Sequence, residues 1–130
     1  PDGTVITGKN SPLMHASSSC ILNAVKYLAH LPDELLLIAP EVIDSVGHLK
    51  KDVLRSRHWS LDLSETLIAL CVSCAHNPAA ALAVKKLGLL AECEMHLTHL
   101  PTPGDEAGLR KLGINVTSEP QFASRDLFID

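Results

Sequence analysis

Aromatic side chains are nearly absent from this 130-residue chain: one Trp, one Tyr and two Phe, 3% of the sequence. The core must therefore be aliphatic, built from Leu, Val, Ile and Ala. A basic excess is missing as well. The formal net charge is −4, which argues against a protein that grips a nucleic-acid backbone, since that task needs a basic face. A small anionic ligand held by one Lys and a few backbone amides remains compatible with that charge. No apolar run reaches the roughly 18 residues of a membrane span without a polar break, so no membrane partner is expected. No signal peptide is recognisable, and the four cysteines read as reduced thiols of a cytosolic protein. Internal repeats and low-complexity stretches are absent. So is an initiator Met: the chain opens on Pro1, which points to a processed or excised piece of something longer.

What is present is ordinary globular chemistry, 46% hydrophobic and 20% charged, in a length that favours one domain over residues 1–130. Alternating apolar patterns run along it. Gly3 to Ile6 is short, apolar and β-prone. Residues 12–30 carry a helical stripe (Leu13, Ser17, Cys20, Ile21, Ala24, Val25, Leu28), with Ser11 as N-cap and Pro12 at the first helical position. Glu34 to Ile38 reads as a buried strand. Pro40 to Arg55 is an amphipathic surface helix. Asp62 with Glu65 forms a capping box for an almost uniformly apolar, central helix over 63–76. Asn77-Pro78 opens a further helix that Gly88 stops. Cys93 to Leu100 is the next strand, Asp105 to Leu112 a short helix ended by Gly113, and Ile114 to Thr117 a fourth strand. This alternation predicts an α/β fold: a three-layer, mostly parallel, four-stranded sheet with helices on both faces. Right-handed crossovers allow the strand order 2-1-3-4, with a switch point between the first and third strands.

Two polar segments follow those two strands: Thr7-Gly8-Lys9-Asn10-Ser11-Pro12 and His96-Leu97-Thr98-His99-Leu100-Pro101-Thr102-Pro103-Gly104-Asp105-Glu106. In open α/β sheets ligands bind at the carboxyl ends of the strands, against helix N-termini. Gly8, Lys9, Asn10 and Ser11 are the expected anion-binding group, joined across the crevice by Thr102 and Gly104. A Walker-type phosphate loop is rejected, because the glycine spacing is wrong and Asn10 separates Lys9 from Ser11. His99 is the expected acid or base, since an imidazole titrates near neutral pH, with Asp105 orienting it or capping the helix. His15, one turn into the first helix, could also face the crevice, although a helix His is more often a surface residue. A metal site would need His99, Asp105 and Glu106 to converge, and Asp105 and Glu106 have the simpler role of complementing a helix N-terminus; no metal is expected. Cys71-x-x-Cys74 lies inside an apolar helix, where nothing lowers a thiol pKa, and reads as packing. Ser17-Ser18-Ser19 reads as a close-packing run of small residues. No feature identifies a cofactor.

At Thr7-Gly8-Lys9-Asn10-Ser11-Pro12-Leu13-Met14-His15, then Asn77-Pro78-Ala79-Ala80, then from His96 through Thr98, His99 and Pro101 to Gly113, the chain resembles a bacterial family catalogued as domain of unknown function eighteen forty-six. The resemblance covers nearly the whole chain and matches the C-terminal part of larger cytosolic proteins. It implies that the remainder of such a protein is the principal partner. Some members carry an ATP-dependent peptidase label, which no residue here supports, and the family supplies no catalytic residue to carry over. Two functions are therefore expected to compete. In the first, the domain contributes an anion- or phosphometabolite-binding crevice to a larger enzyme. In the second, it is a non-catalytic structural or oligomerisation domain, with apolar helices packed on the rest of the protein or on a second copy.

Overall fold

A computed structural model of the chain describes residues 4–8, 14–56 and 59–120. Among these residues five α-helices dominate: α1 Ala16–Leu28, α2 Pro40–His48, α3 Leu63–Ser73, α4 Pro78–Lys85 and α5 Pro103–Leu112. A π-helical turn, Leu49–Val53, prolongs α2, and a 3-10 turn, Leu87–Leu90, follows α4. Two strands, β1 Glu94–Leu97 and β2 Asn115–Ser118, pair in parallel, with Glu94 opposite Asn115 and Leu97 opposite Ser118. α5 connects them, making one βαβ unit.

The expected four-stranded, three-layer sheet is therefore not formed: the fold is mostly helical with a two-stranded parallel sheet. The order 2-1-3-4 and its switch point fall with it. Among the described residues only the third and fourth expected strands form. The physical reason lies in where backbone hydrogen bonds go. At the Glu34–Ile38 run, the Lys26 ammonium takes the carbonyls of Leu35 (3.4 Å) and of Asp33 just before it (2.7 Å). The Asn77 amide takes those of Leu36 (3.4 Å) and Leu37 (3.2 Å). Side chains thus occupy the acceptors a ladder would need, while Leu37 and Ile38 still enter the core. The first expected strand behaves alike. Thr7 O accepts from Asn23 Nδ2 at 2.8 Å and Ile6 O from Cys20 Sγ at 3.6 Å, so Thr4–Gly8 follows the surface of α1. A single parallel bridge, Met14 to Leu61, ties the chain before α1 to the chain before α3.

Local signals set the helix ends. Asp62 Oδ1 accepts from Glu65 N and Glu65 Oε1 from Asp62 N, both at 2.9 Å, closing the capping box. Asn77 Oδ1 accepts from Ala79 N and Ala80 N, with Pro78 at the first position of α4. α5 starts two residues earlier than expected, at Pro103, and ends where Gly113 takes the left-handed conformation (φ 77°). α1 begins at Ala16 rather than residue 12, with His15, not Ser11, at the cap position. The core is aliphatic as expected: Ile21, Val25, Ile43, Leu61, Leu63, Leu70 and Leu109 are almost fully enclosed. α3 is central, touching α1, α2, α4 and α5.

Candidate functional site

Polar chemistry concentrates where the starts of α1, α3 and α5 meet. Thr102 opens α5 as N-cap, its Oγ1 accepting from Asp105 N at 3.3 Å. Pro103 sets the first helical position. Gly104 lies against the Asp62 carboxylate so closely that any side chain there would collide with it. The Ser64 hydroxyl donates to Gly104 O at 3.0 Å, which pins the two helix starts together. Asp105 then projects inward, 4% exposed. Its Oδ1 accepts from Leu63 N, the first amide of α3, at 2.8 Å. Its Oδ2 lies 2.8 Å from Nδ1 of His15.

His15 is held just as firmly. Its backbone N–H donates to Leu61 O at 2.8 Å, beside the Met14 bridge, and its ring is buried. Burial by itself would raise the Asp105 carboxyl. The hydrogen bond and charge of His15, the Leu63 N–H and the nearby Ser17 hydroxyl outweigh that effect and hold it below the ordinary carboxylate range. Asp105 is thus ionised near neutral pH and only accepts hydrogen bonds, so the proton shared with His15 sits on Nδ1. Nε2 is then the acceptor in the neutral ring. Among the described residues it has no hydrogen-bond partner although buried, and the same holds for Thr66 Oγ1. An imidazole with Nδ1 fixed by a carboxylate and Nε2 unengaged is the arrangement that lets a His give or take a proton.

The expected site residues separate. Gly8 does not line a sheet edge; its backbone packs on α1, where a side chain would collide with Ala16 and Cys20. Lys9, Asn10 and Ser11 lie outside the described residues. Thr102 and Gly104 are engaged in starting α5 and packing it against Asp62. His99 is half-buried in the bend after β1, its Nδ1 3.4 Å from Thr98 Oγ1. The carboxylate beside an imidazole is Asp105, and the imidazole is that of His15, not His99. Glu106 is exposed and paired with Arg110 at 2.7 Å. Among the described residues no group of three His, Cys, Asp or Glu gathers as a metal site. The cysteines are free thiols, and Cys74 Sγ points to Leu70 O at 3.4 Å. Burial pushes the Cys20 thiol up, away from reactivity. The role of His15 was not legible beforehand, because its partner lies 90 residues away; the one local hint was a His followed by small, buried Ser17 and Ser18.

Fold and site together define a small helical domain with one βαβ unit and a buried His–Asp pair at the meeting point of three helix starts. The chain belongs to the family described as "Domain of unknown function DUF1846, C-terminal", whose model matches residues 1–128. It is similar to a UPF0371 protein of Fusobacterium nucleatum, with 47% identity over 128 residues, 98% of this chain and 25% of the relative. UPF0371 proteins of Clostridioides difficile and Clostridium botulinum (strain Alaska E43) are 42% and 40% identical over 127 residues, again 98% of this chain and 25% of theirs. The chain thus spans about a quarter of the length of the curated relatives it matches.

Proposed function

We propose that this domain contributes, to a larger cytoplasmic enzyme, one wall of a crevice that holds a small anionic or phosphorylated metabolite beside the His15–Asp105 pair. The observation that carries this reading is the buried Nε2 of His15, unpartnered while Nδ1 is bound to Asp105. In this reading His15 moves the proton at Nε2 and Asp105 positions it. Lys9, with the amides of Asn10 and Ser11, holds the anion. Those residues sit in sequence between Gly8 and Met14, both placed beside the start of α1, whose N-cap position carries no side-chain cap. Such a helix start favours negative charge. Thr102 and Gly104 fix the turn that aims Asp105, and His99 is a second titratable group on the same connection. Four free thiols support a reducing compartment.

Thermal melting with and without inorganic phosphate or sugar phosphates tests it. Melting temperature should rise with phosphate, as expected when a ligand binds only the folded state, and His15 side-chain NMR signals should move. Lys9→Ala should abolish the rise while leaving the ligand-free melting temperature nearly unchanged. A Lys9→Ala variant that melts far lower would make Lys9 structural. Absence of any phosphate response in this chain and in a longer family protein containing it would leave the non-catalytic structural reading.

A further inference from the structure

The outer face of α3 does not suit a helix that ends its life in water. Leu63, Thr66, Ala69, Leu70 and Ser73 point inward and are buried. Ile68 and Val72, four apart, are 66% and 61% exposed, and Cys71 between them is exposed too. Residues at this spacing form one continuous stripe. From Thr66 to Ala75 the sequence holds no charged residue. A helix apolar all round is normally covered all round. α2 shows what a solvated helix of this fold looks like: it buries Ile43 and Gly47 and exposes Glu41, Asp44, Ser45 and His48.

The family relatives supply a cover. This domain matches a C-terminal family model and accounts for 25% of each relative's length, so most of such a protein is further polypeptide. We propose that the Ile68–Cys71–Val72 stripe of α3 is the face on which this domain docks against the remaining body of the longer family protein. The contact is intramolecular and apolar, and it explains why α3 carries no charge on any side beyond Glu65. It is independent of the His15–Asp105 reading, whose residues lie at the other end of the helix.

Cys71 is a built-in reporter. In a longer family protein containing this chain, maleimide labelling of Cys71 is followed by peptide mass spectrometry, native and in urea. Native labelling should be slower by about tenfold or more, because a covered thiol reacts only through local opening. Ile68→Glu/Val72→Glu in the same protein should raise the native rate toward the urea rate, with circular dichroism retained. A wild-type native rate equal to the urea rate overturns the proposal. So does protection that grows with protein concentration alongside a dimer seen by light scattering, which would make the cover a second copy. Should the double variant fail to fold, the wild-type comparison still decides.

Discussion

The two ends of α3 are built on opposite principles. At its N-terminal start, the charged and capping groups are paired with one another, although the buried Thr66 hydroxyl finds no partner among the described residues. Asp62 and Glu65 close the capping box, Asp105 takes the Leu63 amide, and Lys50 Nζ bridges Glu65 Oε1 (2.8 Å) and Ser60 O (2.6 Å). Toward its C-terminal half, Ile68 and Val72 face outward and stay exposed among the described residues. The difference is one of chemistry: charge and capping bonds at one end, uncharged apolar surface at the other. Buried polar groups must be satisfied locally or the fold loses stability, whereas an apolar face can wait for a partner at little cost to the domain itself.

The comparison breaks first at Asp105. Asp105→Ala removes the acceptor of both Leu63 N and His15, and should cost about 3–5 kcal/mol, the range for stripping one member from a buried pair; urea unfolding measures it. A loss below about 1 kcal/mol would mean that the polar start of α3 is not what holds the helices together. The acid limb of the same measurement sharpens the point. The folded state holds the Asp105 carboxyl below its ordinary value, so it binds that proton less readily than the unfolded chain does. Its contribution is complete above the ordinary Asp range near pH 4 and is lost as pH falls through the lowered value. Asp62 runs the other way. Burial, with the charges of Glu65 and Asp105, pushes it up against the Glu65 amide and Lys50, so its contribution diminishes as pH rises. Asp105→Asn should flatten the acid limb, and an unchanged limb would deny Asp105 its role.

Next in size is Asn77. Its side chain caps α4 and holds the Leu36 and Leu37 carbonyls, so Asn77→Ala should cost about 1–2 kcal/mol, the upper part of the N-cap range. Amide exchange should quicken around residues 36–38 before it does in α3. Uniform exchange would show that this segment is held by core packing alone. The smallest effect belongs to the outer half of α3. Cys71→Ala/Cys74→Ala should cost at most about 1 kcal/mol, since Cys71 is exposed and only Cys74 is partly packed. The packing reading thus holds for Cys74 and not for exposed Cys71; redox-dependent melting, a Cys71–Cys74 disulfide or stoichiometric zinc in reduced protein would contradict the non-redox reading of the pair.

Some helix ends were legible from local chemistry, while the starts of α1 and α5 were not. Asp62 with Glu65, Asn77 before Pro78, and Gly113 after α5 do the work their residue types suggest, as each acts within a few positions of itself. The β1 and β2 runs were legible from their apolar, β-prone residues, and each then supplies the other's ladder across α5. Glu34–Ile38 was not. Its apolar pattern suits a buried strand, and only the distant Lys26 and Asn77 side chains turn it into a packed turn. The loop after β1 was recognised as chemically rich, but its residues separated by role: Thr102 and Gly104 build the turn, and Asp105 alone reaches the imidazole of His15.

By itself the sequence determined an aliphatic core, five helix segments and membership of a bacterial family, while it suggested four strands where two form among the described residues; periodicity and capping are local properties. The tertiary structure alone decided how many strands exist and which His stands beside Asp105. A strand needs a neighbour with free hydrogen-bonding groups and a carboxylate needs a partner within about 3 Å, and both conditions are set by residues tens of positions away.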